Sequence, residues 1–223
     1  EQLPASTGPE VSFAGRSNVG KSSLLNKLMY RKGLAKVSST PGKTATINFY
    51  DVDGHDLVDL PGYGYAKVSK AEKGRWSELI EGYYNQDRDF ALVVSLIDIR
   101  HEQQRIDREF VDWLGESGVP FCIVFTKSDK LTAGKARANA EQWMHALEDR
   151  WESLPPYFIT SSSKHEGGEA VLDYIEQCIH MDEAAAEDAA EVAADVAPKD
   201  AVNDAAEDAA KDAAEAENAT EAE

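Results

Sequence analysis

The fold is decided by the stretch Gly15-Arg16-Ser17-Asn18-Val19-Gly20-Lys21-Ser22. It directly follows a strand-like apolar segment, Val11 to Ala14, and directly precedes a segment of helical period that starts at Lys21. The pattern G-x-x-x-x-G-K-[ST] in this context is typical of a phosphate-binding loop (P-loop), because glycines let backbone N–H groups wrap around phosphates at a helix N-terminus. We expect Lys21 to reach the outer phosphates of a nucleotide and the Ser22 hydroxyl to coordinate Mg²⁺.

Apolar segments of strand length alternate with helix-period segments along the rest of the chain. The predicted strands are Val11–Ala14, Thr46–Val52, Asp56–Leu60, Phe90–Ile99, Phe121–Thr126 and Tyr157–Thr160. The predicted helices are Lys21–Tyr30, Ser69–Asn85, Gln103–Glu116, Ala133–Arg150 and Gly168–His180. This alternation predicts an α/β fold with a six-stranded, mostly parallel sheet and helices on both faces. The hairpin signal Asp53-Gly54 predicts one antiparallel edge strand.

The formal net charge of −18 argues against nucleic-acid binding until it is divided along the chain. Residues 182–223 contain 15 acidic residues, two lysines and 18 alanines, which leaves only −5 for residues 1–181. We therefore expect a domain over 1–181 and an acidic tail without fixed structure over 182–223. The two cysteines and the lack of any long apolar run predict a soluble, cytoplasmic protein with no membrane contact. Because the first residue is Glu1, we also expect the natural N-terminus to be missing.

Three further motifs follow predicted strands. Asp59-Leu60-Pro61-Gly62 can supply a carboxylate to the Mg²⁺ shell and a Gly62 N–H to the γ-phosphate. Thr126-Lys127-Ser128-Asp129 places Asp129 where it can accept hydrogen bonds from guanine, with Lys127 along the base; the alternative is a capped strand-to-helix turn. A backbone N–H of Thr160-Ser161-Ser162 can meet the guanine O6, although this segment is otherwise an ordinary polar loop.

A segment between the first helix and the edge strand supplies the remaining candidates, Gly42, Lys43, Thr44, Ala45 and Thr46. The Thr44 hydroxyl can become a second protein ligand of Mg²⁺. The alternative is a simple β-turn at Pro41-Gly42. The candidate catalytic groups are thus Lys21, Thr44 and Gly62, and the candidate metal ligands are Ser22 and Thr44.

Together these motifs resemble the EngB family of bacterial GTPases over about residues 3–180. The most specific segments are Asp59-Leu60-Pro61-Gly62-Tyr63-Gly64-Tyr65-Ala66 and Asp98-Ile99-Arg100-His101. The resemblance implies a Ras-like GTPase domain with Mg²⁺, a role in assembly of the large ribosomal subunit, and a link to normal cell division and septation. An ATP-using P-loop enzyme is another possible class of protein, but the Thr126 to Asp129 motif argues against it because that motif suits guanine.

Tyr63 stands where many P-loop GTPases have the Gln that orients the attacking water. We therefore expect slow intrinsic hydrolysis, with help either from a partner or from K⁺. Asn18 resembles the residue that related potassium-dependent GTPases use to hold that ion; alternatively, it only tolerates a strained loop backbone.

Basic residues cluster around the segments that should respond to the nucleotide. They are Lys27, Arg31, Lys32, Lys36, Lys43, Lys67, Lys70, Lys73 and Arg75. Without the family a solvated lysine surface is the simpler interpretation, and with it we expect contact with rRNA. The prediction is a monomeric switch that docks on a maturing large subunit; the alternative is a docking module with incidental hydrolysis. The acidic tail could shield the basic surface, mimic nucleic acid or aid solubility.

Overall fold

The described part of the chain is built on a sheet of six strands. The computed structural model describes residues 3–6, 8–29, 47–52, 55–63 and 78–181. The strands are β1 (Glu10–Gly15), β2 (Asn48–Val52), β3 (His55–Asp59), β4 (Phe90–Asp98), β5 (Phe121–Thr126) and β6 (Tyr157–Ile159). Their order is β2-β3-β1-β4-β5-β6, and every neighbouring pair is parallel except β2 and β3. The predicted sheet with one antiparallel edge strand is confirmed, and its turn residues 53 and 54 lie outside the described residues.

Helices cover both faces of this sheet. They are α1 (Lys21–Leu28), α2 (78–84), α3 (Arg105–Glu116), α4 (Ala133–His145) and α5 (168–181). Apolar residues of α1 and α5 pack with Val11 and Phe13 on one face. Residues of α2, α3 and α4 pack on the other face, against residues such as Ala14, Val58 and Phe125. The alternation of side chains along β1 therefore feeds two separate core layers.

Helix α4 ends earlier than the sequence periodicity predicts. It stops at His145 instead of Arg150, and residues 146–150 form turns in which Glu148 and Arg150 donate to carbonyls three residues back. The Ala146 carbonyl accepts a hydrogen bond from the Arg108 guanidinium of α3 at 2.5 Å, in place of the next helical turn. The contact between α3 and α4 thus ends α4 about one turn before the position that the helical periodicity of the sequence predicts.

Apolar residues of α2 and β5 belong to the buried interior. Ile80 and Tyr83 of α2 are three positions apart, which places them on one face of the helix, and both are buried. Neither Cys122 nor Cys178 forms a disulfide, and Cys122 is buried as a small apolar residue. Within the described ranges, no helix is long and apolar enough to span a bilayer. Residues 182–223 are not described, so the predicted boundary at 181 and the tail's lack of structure remain predictions.

Candidate functional site

The predicted motifs meet at the carboxyl ends of the parallel strands. The P-loop follows β1, and its backbone includes two residues in the left-handed region, Asn18 with φ 64° and Gly20 with φ 110°. Residues that carry a side chain rarely adopt the φ of Gly20, which explains why the second glycine of the motif is needed. Helix α1 begins at the next residue and has no acidic residue in its first turn. Its N–H groups and positive dipole end thus favour an anion at this loop.

Lys21, the first residue of α1, forms an ion pair with the Asp59 carboxylate at the end of β3. Both side chains are largely buried, with 11% and 10% of their surfaces exposed. Burial lowers the pKa of Lys21 to about 8 even though a carboxylate lies beside it. The predicted phosphate-binding ammonium and the predicted Mg²⁺-shell carboxylate are therefore direct neighbours.

The segment after β3 is hydrogen-bonded to the P-loop through its backbone. The Tyr63 N–H donates to Gly15 O at 3.2 Å, and the Ser17 N–H donates to Tyr63 O at 3.1 Å. A Cβ on Gly62 would lie 3.1 Å from the backbone nitrogen, the Cα and the Oγ of Ser17. Gly62 is therefore needed for this close approach of the two loops.

The Thr126-Lys127-Ser128-Asp129 segment supports the P-loop from the other side. The buried Thr126 hydroxyl donates to Val19 O at 2.6 Å. The Lys127 ammonium donates to Asn18 O at 2.5 Å. The first two residues of this motif thus brace the loop that would hold the phosphates.

Asp98 is a site residue that sequence reasoning missed. Its carboxylate accepts a hydrogen bond from the Lys127 ammonium at 2.9 Å and two from the Arg100 guanidinium, at 2.8 and 2.9 Å. Burial alone would raise the pKa of Asp98, but the hydrogen bonds from Arg100 and Lys127 outweigh it and lower the pKa to about 2. In the sequence, the segment Asp98-Ile99-Arg100-His101 supports the family resemblance but predicts no role for Asp98. The signal that could have identified Asp98 as a site residue is its position at the end of a buried strand.

Asp129 is held by the loop that follows β6. The Ser161 hydroxyl donates to one Asp129 oxygen at 2.9 Å, while the Lys130 ammonium lies 3.0 Å from the other. The hydrogen bond from Lys130, followed by those from Ser161 and Ser163, lowers the pKa of Asp129 to about 2 against the effect of burial. The carboxylate is therefore ionised at any pH near neutrality.

The alternative reading of this motif as a helix cap is wrong. Ser128–Lys130 form a short 3₁₀ turn, and the N-cap of α4 is Thr132, whose hydroxyl accepts from the Lys135 N–H at 3.3 Å. Asp129 is thus free of a capping role and faces the β6 loop. In that loop the Ser161 N–H donates to Glu166 O at 3.0 Å, and the Thr160 N–H donates to Phe125 O at 2.7 Å.

One group of predicted residues falls outside the described residues, namely Gly42, Lys43, Thr44, Ala45 and Thr46. For Mg²⁺, the described donors are the Ser22 hydroxyl on α1 and the Asp59 carboxylate on β3. Hard oxygen donors of this kind fit Mg²⁺, which keeps several waters and takes few protein ligands. Consistent with so sparse a set, the described residues contain no cluster of three or more His, Cys, Asp or Glu that could hold a metal.

Comparison with known proteins decides the family. A family model described as 50S ribosome-binding GTPase matches residues 10–127. The probable GTP-binding protein EngB of Phocaeicola vulgatus is 49% identical over 177 residues, which cover 79% of this chain and 88% of that protein. The chain belongs to the EngB family of GTP-binding proteins. Its EngB relative in Porphyromonas gingivalis is 50% identical over 176 residues, covering 78% of this chain and 88% of the relative.

Solved structures agree with this EngB assignment at the level of the fold. The crystal structure of a probable GTP-binding protein EngB matches with a TM-score of 0.60 at 23% identity, covering 77% of this chain and 99% of that one. A bacterial selenocysteine-specific elongation factor matches with a TM-score of 0.58 at 18% identity, covering 78% of this chain and 29% of that one. The EngB-family chain is therefore a GTPase with a Ras-like fold that binds GTP and GDP.

Proposed function

We propose that this EngB-family GTPase acts as a nucleotide switch in assembly of the large ribosomal subunit. In its GTP form it docks on a maturing subunit, and hydrolysis to GDP and phosphate lets it leave. It works as a cytoplasmic monomer, and its link to cell division and septation follows indirectly, because division depends on the supply of ribosomes.

The observation that carries the proposal is the orientation of Tyr63. Its side chain is buried, with 3% of its surface exposed, and packs on Phe110 of α3. It has no amide to orient a water, and it points into the core. Intrinsic hydrolysis is therefore slow, and a slow GTPase stays in its GTP form until a partner stimulates it.

Each residue of the site has a definite task in this proposal. The P-loop amides from Gly15 to Ser22 cradle the phosphates, and Lys21 balances the charge that develops on the γ-phosphate. The Gly62 N–H binds the γ-phosphate. Ser22, with Thr44 outside the described residues, would hold Mg²⁺, and Asp59 would bind its water shell; the ion would supply neutralisation of phosphate charge.

Guanine recognition falls to Asp129 and the loop after β6. The ionised Asp129 carboxylate accepts from the base N1–H and exocyclic amine, a pair of donors that adenine lacks. Because the Ser161 N–H is already bonded to Glu166, we assign the guanine O6 to the next amide, that of Ser162. Lys127, fixed by Asp98 and Asn18 O, lies along the base.

The ribosomal part of the proposal is supported by the family model's description as a ribosome-binding GTPase and by the basic residues around the nucleotide-sensitive segments. One of these basic residues cannot contribute to rRNA binding. The Lys27 Nζ is buried beside Gly168, so Lys27 is not available to rRNA. The other basic residues of this set lie outside the described residues.

Cosedimentation with purified large ribosomal subunits tests the switch. The protein is loaded with GDP or with a non-hydrolysable GTP analogue and titrated with salt. We expect tight binding only with the GTP analogue and a steep loss of affinity with salt, because phosphate contacts release counterions. Equal binding in the two nucleotide states would contradict the switch and favour the docking module.

We propose K⁺ as an additional stimulus, acting at Asn18. The Asn18 side chain is exposed at the P-loop, while its left-handed backbone also fits the alternative that this residue only tolerates the loop geometry. Single-turnover hydrolysis in K⁺ and in Na⁺ at equal ionic strength separates the two. A K⁺-specific acceleration that is lost in Asn18→Gly supports the cation; equal rates in both salts leave only the backbone role.

A further inference from the structure

The hydroxyl of Tyr63 lies in a buried polar cluster that no pattern in the sequence predicts. The cluster joins Arg16 of the P-loop, Tyr63 after Gly62, Ser95 of β4 and Asp107 in the first turn of α3. Ser95 is fully buried, and Asp107 and Tyr63 are each 3% exposed. The P-loop, the segment after Gly62, β4 and α3 thus each contribute one polar side chain to this cluster.

Burial and neighbouring charges determine the protonation states of Tyr63 and Asp107 in this cluster. Burial, and then the Asp107 carboxylate, raise the pKa of Tyr63 well above its usual value, so the hydroxyl keeps its proton. Burial raises the pKa of Asp107 to about 6, against the Arg16 guanidinium and the Tyr63 hydroxyl, which both favour the ionised form. A buried carboxylate is costly in free energy, and the nearby Arg16 guanidinium and Tyr63 hydroxyl favour the ionised form of Asp107.

We propose that Tyr63 and Asp107 are positioning residues that anchor the D-L-P-G loop to the P-loop and to α3, and thereby fix the Gly62 N–H for the γ-phosphate. This inference rests on the proposed role of Gly62. The Tyr63 N–H donates to Gly15 O, and the Gly62 Cα region approaches Ser17 closely. Since Tyr63 directly follows Gly62, any loosening of its side chain shifts the Gly62 amide relative to the P-loop.

The anchor should matter for one nucleotide and not for the other. GDP is held by the P-loop and the guanine-binding residues, whereas the γ-phosphate of GTP also needs the Gly62 amide. Loss of the anchor therefore weakens GTP binding and hydrolysis and leaves GDP affinity unchanged. A purely structural role for the cluster would weaken both nucleotides together.

The chain offers a matched control for the lost hydroxyl. Tyr84 belongs to the same aromatic core, and its hydroxyl lies 2.7 Å from Ser12 Oγ in β1, in the strand that precedes the P-loop. Tyr84→Phe removes a partly buried hydroxyl from this core without changing the Asp59 to Gly62 loop. Tyr63→Phe likewise keeps the ring and its packing on Phe110.

The test measures dissociation constants for fluorescent GDP and a fluorescent non-hydrolysable GTP analogue, together with single-turnover hydrolysis, in the full chain. We expect Tyr63→Phe and Asp107→Asn each to reduce the GTP-to-GDP affinity ratio by about fivefold, with the double variant no worse than either single one. Tyr84→Phe should leave the ratio unchanged.

Two results would overturn the proposal. One is an unchanged affinity ratio in both Tyr63→Phe and Asp107→Asn; the other is an equal change in Tyr84→Phe. Failure of the underlying switch looks different, because large subunits would then bind the unmodified protein equally in its GDP and GTP-analogue forms, whatever the affinity ratio of Tyr63→Phe. Since Tyr63→Phe and Asp107→Asn each preserve side-chain volume, either one suffices if the other does not fold.

Discussion

The ammonium of Lys21 pairs with the carboxylate of Asp59 across the mouth of the P-loop. In the proposed function the two groups have different tasks, the first at the phosphates and the second at the Mg²⁺ shell. A phosphate that enters the loop would therefore compete with Asp59 for Lys21, and Mg²⁺ would supply Asp59 with another positive partner.

The lowered pKa of Lys21 predicts that nucleotide affinity depends on pH. Bound phosphates favour the charged ammonium, so above a pKa of about 8 binding must take up a proton, and affinity falls as the pH rises. We expect the dissociation constant of GDP to increase about fourfold between pH 7 and pH 8.5. In Lys21→Arg, which stays charged, affinity should be lower but constant over this range; an equal slope in both proteins would contradict the assignment.

Removal of the partner carboxylate should lower stability and change the requirement for Mg²⁺. Asp59→Asn leaves a largely buried ammonium without its counter-charge, so we expect the free energy of unfolding to fall by about 3 kcal/mol. In the same variant GDP should bind more tightly without Mg²⁺ and gain less from added Mg²⁺. Urea unfolding and GDP titrations with and without Mg²⁺ measure these effects.

Glu109→Gln is the matched control for Asp59→Asn. It breaks the exposed ion pair between Arg105 and Glu109 on α3, whose side chains are 91% and 56% exposed. Urea unfolding of this variant should match that of the unmodified protein, because solvent screens an exposed pair. If Asp59→Asn were as mild as this control, the Lys21–Asp59 pair would have no energetic role.

Ser161 and Asp129 should have separable effects on the base. Ser161→Ala removes the hydroxyl that orients Asp129 but keeps the carboxylate, so GDP affinity should fall about fivefold with guanine still preferred. Asp129→Asn should shift preference from GTP toward xanthosine triphosphate (XTP), because the side-chain amide of Asn complements xanthine instead of guanine. Competition binding with GTP, ITP and XTP distinguishes these results, and unchanged GTP affinity in Asp129→Asn would refute the guanine assignment.

Asp98 should act on both nucleotides through Lys127. Asp98→Asn weakens the attraction that holds the Lys127 ammonium, so GTP and GDP affinities should fall by the same factor, about tenfold. Stopped-flow or equilibrium titration of both nucleotides checks this. A selective loss of GTP, of the kind expected for Tyr63→Phe, would place Asp98 in the γ-phosphate response instead.

The fold follows closely from the sequence because its signals are local. The apolar run Phe90 to Asp98 reads as a central strand buried on both faces, and the glycines of the P-loop mark the turn from β1 into α1. Element ends were harder to predict, since Arg108 and Ala146 meet only once α3 and α4 are packed.

The contacts within the site could not be read in the same way. Asp98 with Lys127, Tyr63 with Asp107 and Lys21 with Asp59 are pairs separated by 29 to 44 positions in the sequence. No periodic pattern relates such residues, and only the order of the strands in the sheet brings them together. The sequence identified the chemical groups, and the fold determines which of them support one another.

Stimulation of GTP hydrolysis by the large ribosomal subunit tests the central claim most directly. Single-turnover hydrolysis is measured with the protein alone and with purified large subunits, at one salt concentration. We predict slow hydrolysis by the protein alone and an acceleration of at least about tenfold with the subunits. An identical rate with and without subunits that demonstrably bind the protein would contradict the switch and leave a docking module with incidental hydrolysis.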